Sequence, residues 1–251
     1  MRKAIILIGA TLLFATTVAA TEKRVHKSLA LSPTGSLSID THNGSISVTT
    51  WNQATVDVQA RIEPGDFASD DDVNRTDVRV TGSEGSVRVE SDYSDVPTHF
   101  VLFGMTRNLP LVHYTISMPA SARLDVDTHN SRVRVSGLRN DVRINSHNGD
   151  IEIDDLDGAA TIETHNGDVR IGYSRFAKSS RVETHNGGID IGIPAQSRFH
   201  VNATGHHLGM NSEFPMIVSS MRSSRYVGDV NGGGPELRIS THNGSLKLRK
   251  V

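Results

Sequence analysis

Imidazole recurs in this chain in one fixed context. The tetrad Thr-His-Asn-Gly stands at residues 41–44, 164–167, 184–187 and 241–244, with near-copies Thr-His-Asn-Ser at 128–131 and Ser-His-Asn-Gly at 146–149. Asparagine and glycine have a ready explanation, because both tolerate the backbone conformations of a tight corner. Histidine does not, since a turn has no need of an imidazole. If the copies stack, imidazoles on adjacent copies could converge on one Zn²⁺ or Cu²⁺, with zinc–nitrogen bonds of about 2.0–2.1 Å. His129, His147, His165 and His185 are therefore the candidate metal ligands, and neighbouring carboxylates would complete the shell or orient the rings. The plainer reading is a stacked surface ladder that covers the corner, since no ligand spacing of a known metal site is present along the sequence.

The spacing says what positions these side chains. The interval from His129 to His147, about 18 residues, recurs unchanged from His147 to His165, and His185 follows slightly late. A period of roughly 20 residues is the mark of a repeat architecture. A degenerate copy, Gly205-His206-His207-Leu208, comes next, and the interval from His206 to His242 is twice the period, which leaves room for one further turn of chain without the tetrad. The His206-His207 pair, with Met210 nearby, is read as an irregular repeat. The long interval between His42 and His129 holds either divergent repeats or an inserted layer.

On both sides of each corner apolar and polar residues alternate: Val142 and Ile144 with Arg143 and Asn145, then Ile151 and Ile153 with Glu152. That is the two-residue period of a half-buried strand. Inward positions are Val133, Val135, Val142, Ile144, Ile151, Ile153, Ile162, Val169, Ile171, Val182, Ile189 and Ile191. The same alternation puts each histidine outward beside the residue two before it, pairing Asp40 with His42, Asp127 with His129, Glu163 with His165 and Glu183 with His185. No stretch carries sustained helical periodicity. The fold expected is all-β: a β-solenoid, or β-helix, of about 18-residue rungs with Thr-His-Asn-Gly corners. An antiparallel meander remains open, because Asn-Gly is also a strong hairpin signal, although a meander gives no reason to place the same tetrad at every second turn.

Outside the repeats, residues 113–118 read as a strand ending at Pro119, residues 66–77 as an exposed acidic loop, and residues 219–234 as a Ser- and Gly-rich excursion. Arg2 and Lys3 precede an apolar run and small residues ending at Ala20, the pattern of a secretory signal peptide cleaved after that residue. The run is shorter than the roughly 20 apolar residues of a membrane span. The organisation expected is a signal peptide over 1–20, divergent rungs or a cap over 21–118, and a regular repeat body over 119–251, continuous with 21–118 as one domain. Losing Arg2 and Lys3 from 26 basic residues leaves 24 against 28 acidic ones, a formal charge of −4. Such a surface lacks the basic excess that nucleic acid requires. With no cysteine there is neither a disulfide nor a thiol nucleophile. A disulfide-free exported chain points to a bacterial periplasm or cell surface.

The Tyr-Thr-Ile-Ser-Met-Pro run at 114–119, Leu-Asp-Val at 124–126, the repeated Asn-Gly corners, Ile-Gly-Ile-Pro at 191–194, Ser-Glu-Phe-Pro at 212–215, Gly-Gly-Gly at 232–234 and the closing tetrad resemble the bacterial putative-adhesin family of exported β-strand repeat proteins. The resemblance covers about residues 27–251. It implies a solenoid-like body in a cell-envelope setting, and it carries over no catalytic residue. Histidine at the second position of each tetrad belongs to this sequence more than to that family's pattern. No nucleophile elbow, phosphate-binding loop or His-Glu-x-x-His is present. The function expected is therefore a non-enzymatic, adhesin-like interaction module with a surface, protein or glycan partner. The alternatives are a periplasmic metal-binding protein using the histidines, and a carbohydrate-binding or carbohydrate-active β-helix using outward acids such as Glu152, Asp168 and Asp190.

Overall fold

Alternating apolar residues and short Gly- or Pro-bearing breaks leave this chain little choice but strands. The structure, a computed structural model, describes residues 21–66, 68–101, 104–106, 108–222 and 225–251; the expected signal peptide lies outside them. Among the described residues nineteen strands follow in order: β1 Lys23–Ala30, β2 Ser36–Trp51, β3 Thr55–Glu63, β4 Asp77–Ser83, β5 Ser86–Asp92, β6 His99–Val101, β7 Gly104–Thr106, β8 Leu111–Pro119, β9 Arg123–Ser136 and β10 Val142–Asn148. Then come β11 Ile151–Leu156, β12 Ala160–Asn166, β13 Val169–Tyr173, β14 Ser180–Asn186, β15 Ile189–Ile193, β16 Phe199–Ser212, β17 Met216–Arg222, β18 Arg225–Val230 and β19 Glu236–Lys250. The described residues contain a single short helix, α1, at Asp70–Arg75. The chain is all-β and β-solenoid-like.

The central strands pair in parallel, each repeat laid on the one before. Ile144 faces Val126 of the preceding repeat on one side and Ile162 of the following repeat on the other, and Ile162 in turn faces Val182. After the corner, Ile153 lies between Val135 and Ile171, and Ile171 pairs with Ile191. The longer step between Ile162 and Val182 is taken up by the connection between β13 and β14. Strands β2, β9, β16 and β19 run through the corner without a break and so belong to both halves of the sheet.

In-register stacking puts aliphatics of successive repeats on one another, and a narrow continuous core results. All twelve positions named above as inward are at most 2% exposed. Each such Val or Ile contributes about 1.5–3 kcal/mol by leaving water. Tyr114, Tyr173 and Phe199 are also fully buried.

Three expectations need correcting. The 66–77 segment is no plain loop, because α1 forms there: Ser69 caps it, Asp72 completes a capping box and Val73 is buried. So short a helix gives no helical period in sequence, but the Ser-x-x-Asp cap suffices to start a turn. The 219–234 excursion contains the end of β17 and all of β18, antiparallel to each other and with β18 antiparallel to β16. The third correction concerns order. β19 lies between β14 and β16, parallel to both, so the tetrad at 241–244 follows the one at 184–187 in space and no empty turn separates it from His206. The detour through β16 to β18 lets the final strand return into the gap, where both of its edges find backbone partners.

At the other end β2 sits directly on β9, with Thr41 opposite Thr128 and Asn43 opposite Asn130. Beyond it β5 extends one half of the sheet and β8, β3 and β1 the other. β1 closes that half with Lys23, Arg24 and Lys27, charges that discourage pairing with another chain at an open edge.

Candidate functional site

Parallel stacking turns the scattered histidines into a column. Ring centroids are 4.7 Å apart for His42–His129, 4.7 Å for His129–His147, 5.0 Å for His147–His165, 4.8 Å for His165–His185 and 4.7 Å for His185–His242, with planes within 4° of parallel. His206 adds a seventh ring, 5.3 Å from His242. This spacing is the strand separation itself: the rings ride on the backbone and inherit its repeat. His42 is half-buried, and the other six are exposed.

The neighbouring residue locks the column. Asn130 donates its side-chain amide to Asn43 at 2.8 Å, Asn148 to Asn130 at 2.7 Å, Asn166 to Asn148 at 2.9 Å, Asn186 to Asn166 at 2.8 Å and Asn243 to Asn186 at 3.0 Å. All five bonds point the same way, so each interior amide both gives and receives. Under the corners the backbones approach too closely for a side chain: a Cβ on Gly149, at φ +123°, would lie 2.3 Å from the carbonyl oxygen of Ser131. Ser131, standing where other tetrads carry glycine, has no positive φ, and its hydroxyl accepts a bond from Thr128 at 2.8 Å.

Beside the imidazoles runs a second column, two residues earlier in each strand: Asp40, Asp127, Asn145, Glu163, Glu183, Ser240 and Thr204. Between the two lies an open groove of about 650 Å³, walled by His147, His165, His185, His206 and His242 on one side and by Asn145, Glu163 and Glu183 on the other. Arg88 pairs with Asp40 at 2.8 Å and Arg181 with Glu183 at 2.7 Å, whereas no ion pair among the described residues engages Asp127 or Glu163. The groove thus has carboxyl and amide groups on one wall and imidazole edges on the other. Burial, with the adjoining His129 adding to it, holds the His42 imidazole below its ordinary pKa.

His129, His147, His165 and His185 are brought together, but face to face. A nitrogen lone pair lies in the plane of its ring, and like nitrogens of parallel rings are separated by about the same distance as the centroids. One zinc ion at about 2.0–2.1 Å from each of two neighbouring rings spans at most about 4.2 Å, less than the 4.7–5.0 Å between these. Holding one ion would require the rings to swing toward each other. Among the described residues no group of three or more His, Cys, Asp or Glu side chains is placed to hold a metal.

A second groove, of about 600 Å³, opens where β1, β3, β8 and β2 adjoin, lined by Arg24, His26, Ser45, Arg61 and His113 among others. Periodicity marks Ser45, Glu63 and His113 only as outward positions of strands. The register that makes Ser45 the cross-strand neighbour of His113 joins distant parts of the sequence and leaves no mark in it.

The family described as Toastrack DUF4097 matches residues 31–249. No curated protein matches the chain. Among solved structures, a putative cell adhesion protein from Clostridium sporogenes is 9% identical, with 91% of this chain and 100% of that one covered and a TM-score of 0.45. A putative adhesin from Bacteroides fragilis is 16% identical, with 90% and 97% covered and a TM-score of 0.47. A putative lipid binding protein from Parabacteroides distasonis is 8% identical over 90% and 96% of the two chains, with a TM-score of 0.30.

Proposed function

The chain belongs to the Toastrack DUF4097 family, and on that premise we propose that it is an exported, adhesin-like interaction module of the bacterial cell envelope. Its evenly stacked rungs serve as a ruler, and the histidine face is the contact surface. The groove along that face is a place for binding, without a catalytic role. One observation carries this reading: seven imidazoles stack at 4.7–5.3 Å intervals beside a parallel column of polar and acidic side chains, and five of them line one open groove. A small molecule would be better served by an enclosed concave pocket. A straight, open track of repeating donors and acceptors suits an extended polymer that lies across the strands and carries hydroxyl or amide groups at regular intervals. The exposed carboxylates of Asp127 and Glu163 oppose a polyanion, and the formal charge expected after cleavage, −4, argues the same way.

The test is co-sedimentation of residues 21–251 with purified peptidoglycan sacculi and with an insoluble neutral glucan, beside the triple variant His147→Ala, His165→Ala, His185→Ala. Retention of the parent chain on either polymer, lost in the triple variant at equal melting temperature, is the expected result. Equal retention of both proteins, or retention of neither, would remove the histidine face as a polymer-binding surface.

A further inference from the structure

The second groove holds three side chains in a hydrogen-bonded line. The Ser45 hydroxyl lies 2.8 Å from Nδ1 of His113, and Nε2 of His113 lies 2.9 Å from the Glu63 carboxylate. A carboxylate only accepts, so the bond to Glu63 places the imidazole proton on Nε2. That leaves the Nδ1 lone pair to receive the Ser45 proton. This is the order of groups by which a base, oriented by an acid, activates a hydroxyl nucleophile. The backbone sets the geometry: Ser45 and His113 are register partners on adjoining parallel strands, and Arg61 is the partner of His113 on the far side.

We propose that Ser45 is an activated nucleophile, with His113 as its general base and Glu63 as the residue positioning that base, in a site that takes acyl esters. In the step proposed, the Ser45 oxygen bonds to the ester carbonyl carbon while its proton passes to Nδ1 of His113. The carbon–oxygen bond to the alcohol then breaks, and the departing oxygen takes the proton from His113. Acylated Ser45 remains, and water attacks it by the same route, releasing the acid and restoring the serine. β2 is interior to the sheet, between β8 and β9, so its backbone amides are already bonded. The negative charge on the carbonyl oxygen must then be met by a side chain, and the cation in the same groove is Arg61, which in the resting site pairs with Glu63 and lies 3.9 Å from Glu22. Arg24 also lines the groove, where Glu22 pairs with it.

The environment keeps the base in its working form. Burial, and then the charge of Arg61, lower the pKa of His113, so it stays neutral at pH 7. The charged and titratable groups around it are Glu63 and Arg61 on β3, Arg24 and His26 on β1, Glu22 paired with Arg24 and near Arg61, Asp57 bonded to His26, and Arg132 beside Ser45 on β9. This proposal concerns a different face from the histidine column and stands or falls apart from it.

The experiment is reaction of the whole chain with a fluorophosphonate probe, followed by mass-spectrometric mapping of the labelled residue at pH 5 to 8. Labelling at Ser45 well ahead of Ser47 on the same strand is expected, slowing as pH falls and His113 is protonated. His113→Ala should slow it by about 100-fold, and Glu63→Gln should move the pH midpoint downward. If Ser45 and Ser47 of the unaltered chain react at equal rates, the nucleophile assignment is overturned, whatever the variants do. Ser45 labelling unchanged in a folded His113→Ala would overturn the role of the base.

Discussion

Asn166 donates its side-chain amide to the side-chain oxygen Oδ1 of Asn148, one repeat earlier, at 2.9 Å, and accepts the side-chain amide of Asn186 at 2.8 Å. A single side chain thus ties three repeats together at the corner. Asn166→Ala breaks both bonds and leaves an unpaired donor on Asn186 and an unpaired acceptor on Asn148. A loss of about 1–2 kcal/mol in urea unfolding is expected. Asn43→Ala, at the end of the ladder, breaks one such bond and should cost about half as much. Equal small losses at both positions would mean that water replaces the ladder without penalty.

The corner glycines are not equivalent. Gly149 combines φ +123° with a backbone oxygen 2.3 Å from where a Cβ would stand, whereas the nearest atom to a Cβ on Gly188 is 3.5 Å away. Gly149→Ala should therefore destabilise by about 3 kcal/mol. Gly188→Ala should stay within about 0.5 kcal/mol of the parent. Chemical denaturation of the two variants side by side checks the contrast, and a harmless Gly149→Ala would contradict the close approach of neighbouring repeats.

Acid should weaken the fold. His42 and His113 are both held below their ordinary value of 6.5, chiefly by burial. As pH falls through that value the unfolded chain takes up protons that the folded chain resists, so stability present above about pH 6.5 is lost below it. Melting temperature should drop steadily between pH 7.5 and 5.5, and the double variant His42→Gln, His113→Gln should flatten that slope. A parent melting temperature unchanged across the range would refute the assignment. The carboxylates held low, Asp57, Asp92, Asp141 and Glu236, add their own loss only at more acidic pH.

Alternation and periodicity in the sequence express much of this molecule. Ile144 and Ile162 are legible as inward strand residues because side chains in a strand alternate between its faces, and as partners because their surroundings recur from one repeat to the next. His129, His147, His165 and His185 are legible as one column for the same reason. Where the partner lies elsewhere in the chain, sequence is silent. Nothing in residues 236–250 reveals that β19 returns between β14 and β16, since that choice is made by which strand edges remain open. Nothing in Ser45 points to His113 or Glu63, because a slip of register by a single position decides whether they meet or miss. The stacked geometry of the rings was equally hidden: the sequence could place imidazoles next to one another without saying that their faces, not their nitrogens, would be turned together.

Stacking of like residues in order β2, β9, β10, β12, β14, β19, β16 underlies the column, the groove and the polymer they are proposed to meet. The chain has no cysteine of its own, so paired cysteines carrying nitroxide labels report this order by electron paramagnetic resonance. His42→Cys with His129→Cys should give exchange-coupled labels on adjoining strands, although the two positions are far apart in sequence. His42→Cys with His206→Cys, at the two ends of the column, should give one narrow distance of about 29 Å, the six ring spacings end to end. Uncoupled labels in the first pair, or a broad or much shorter distance in the second, would contradict the parallel in-register stack.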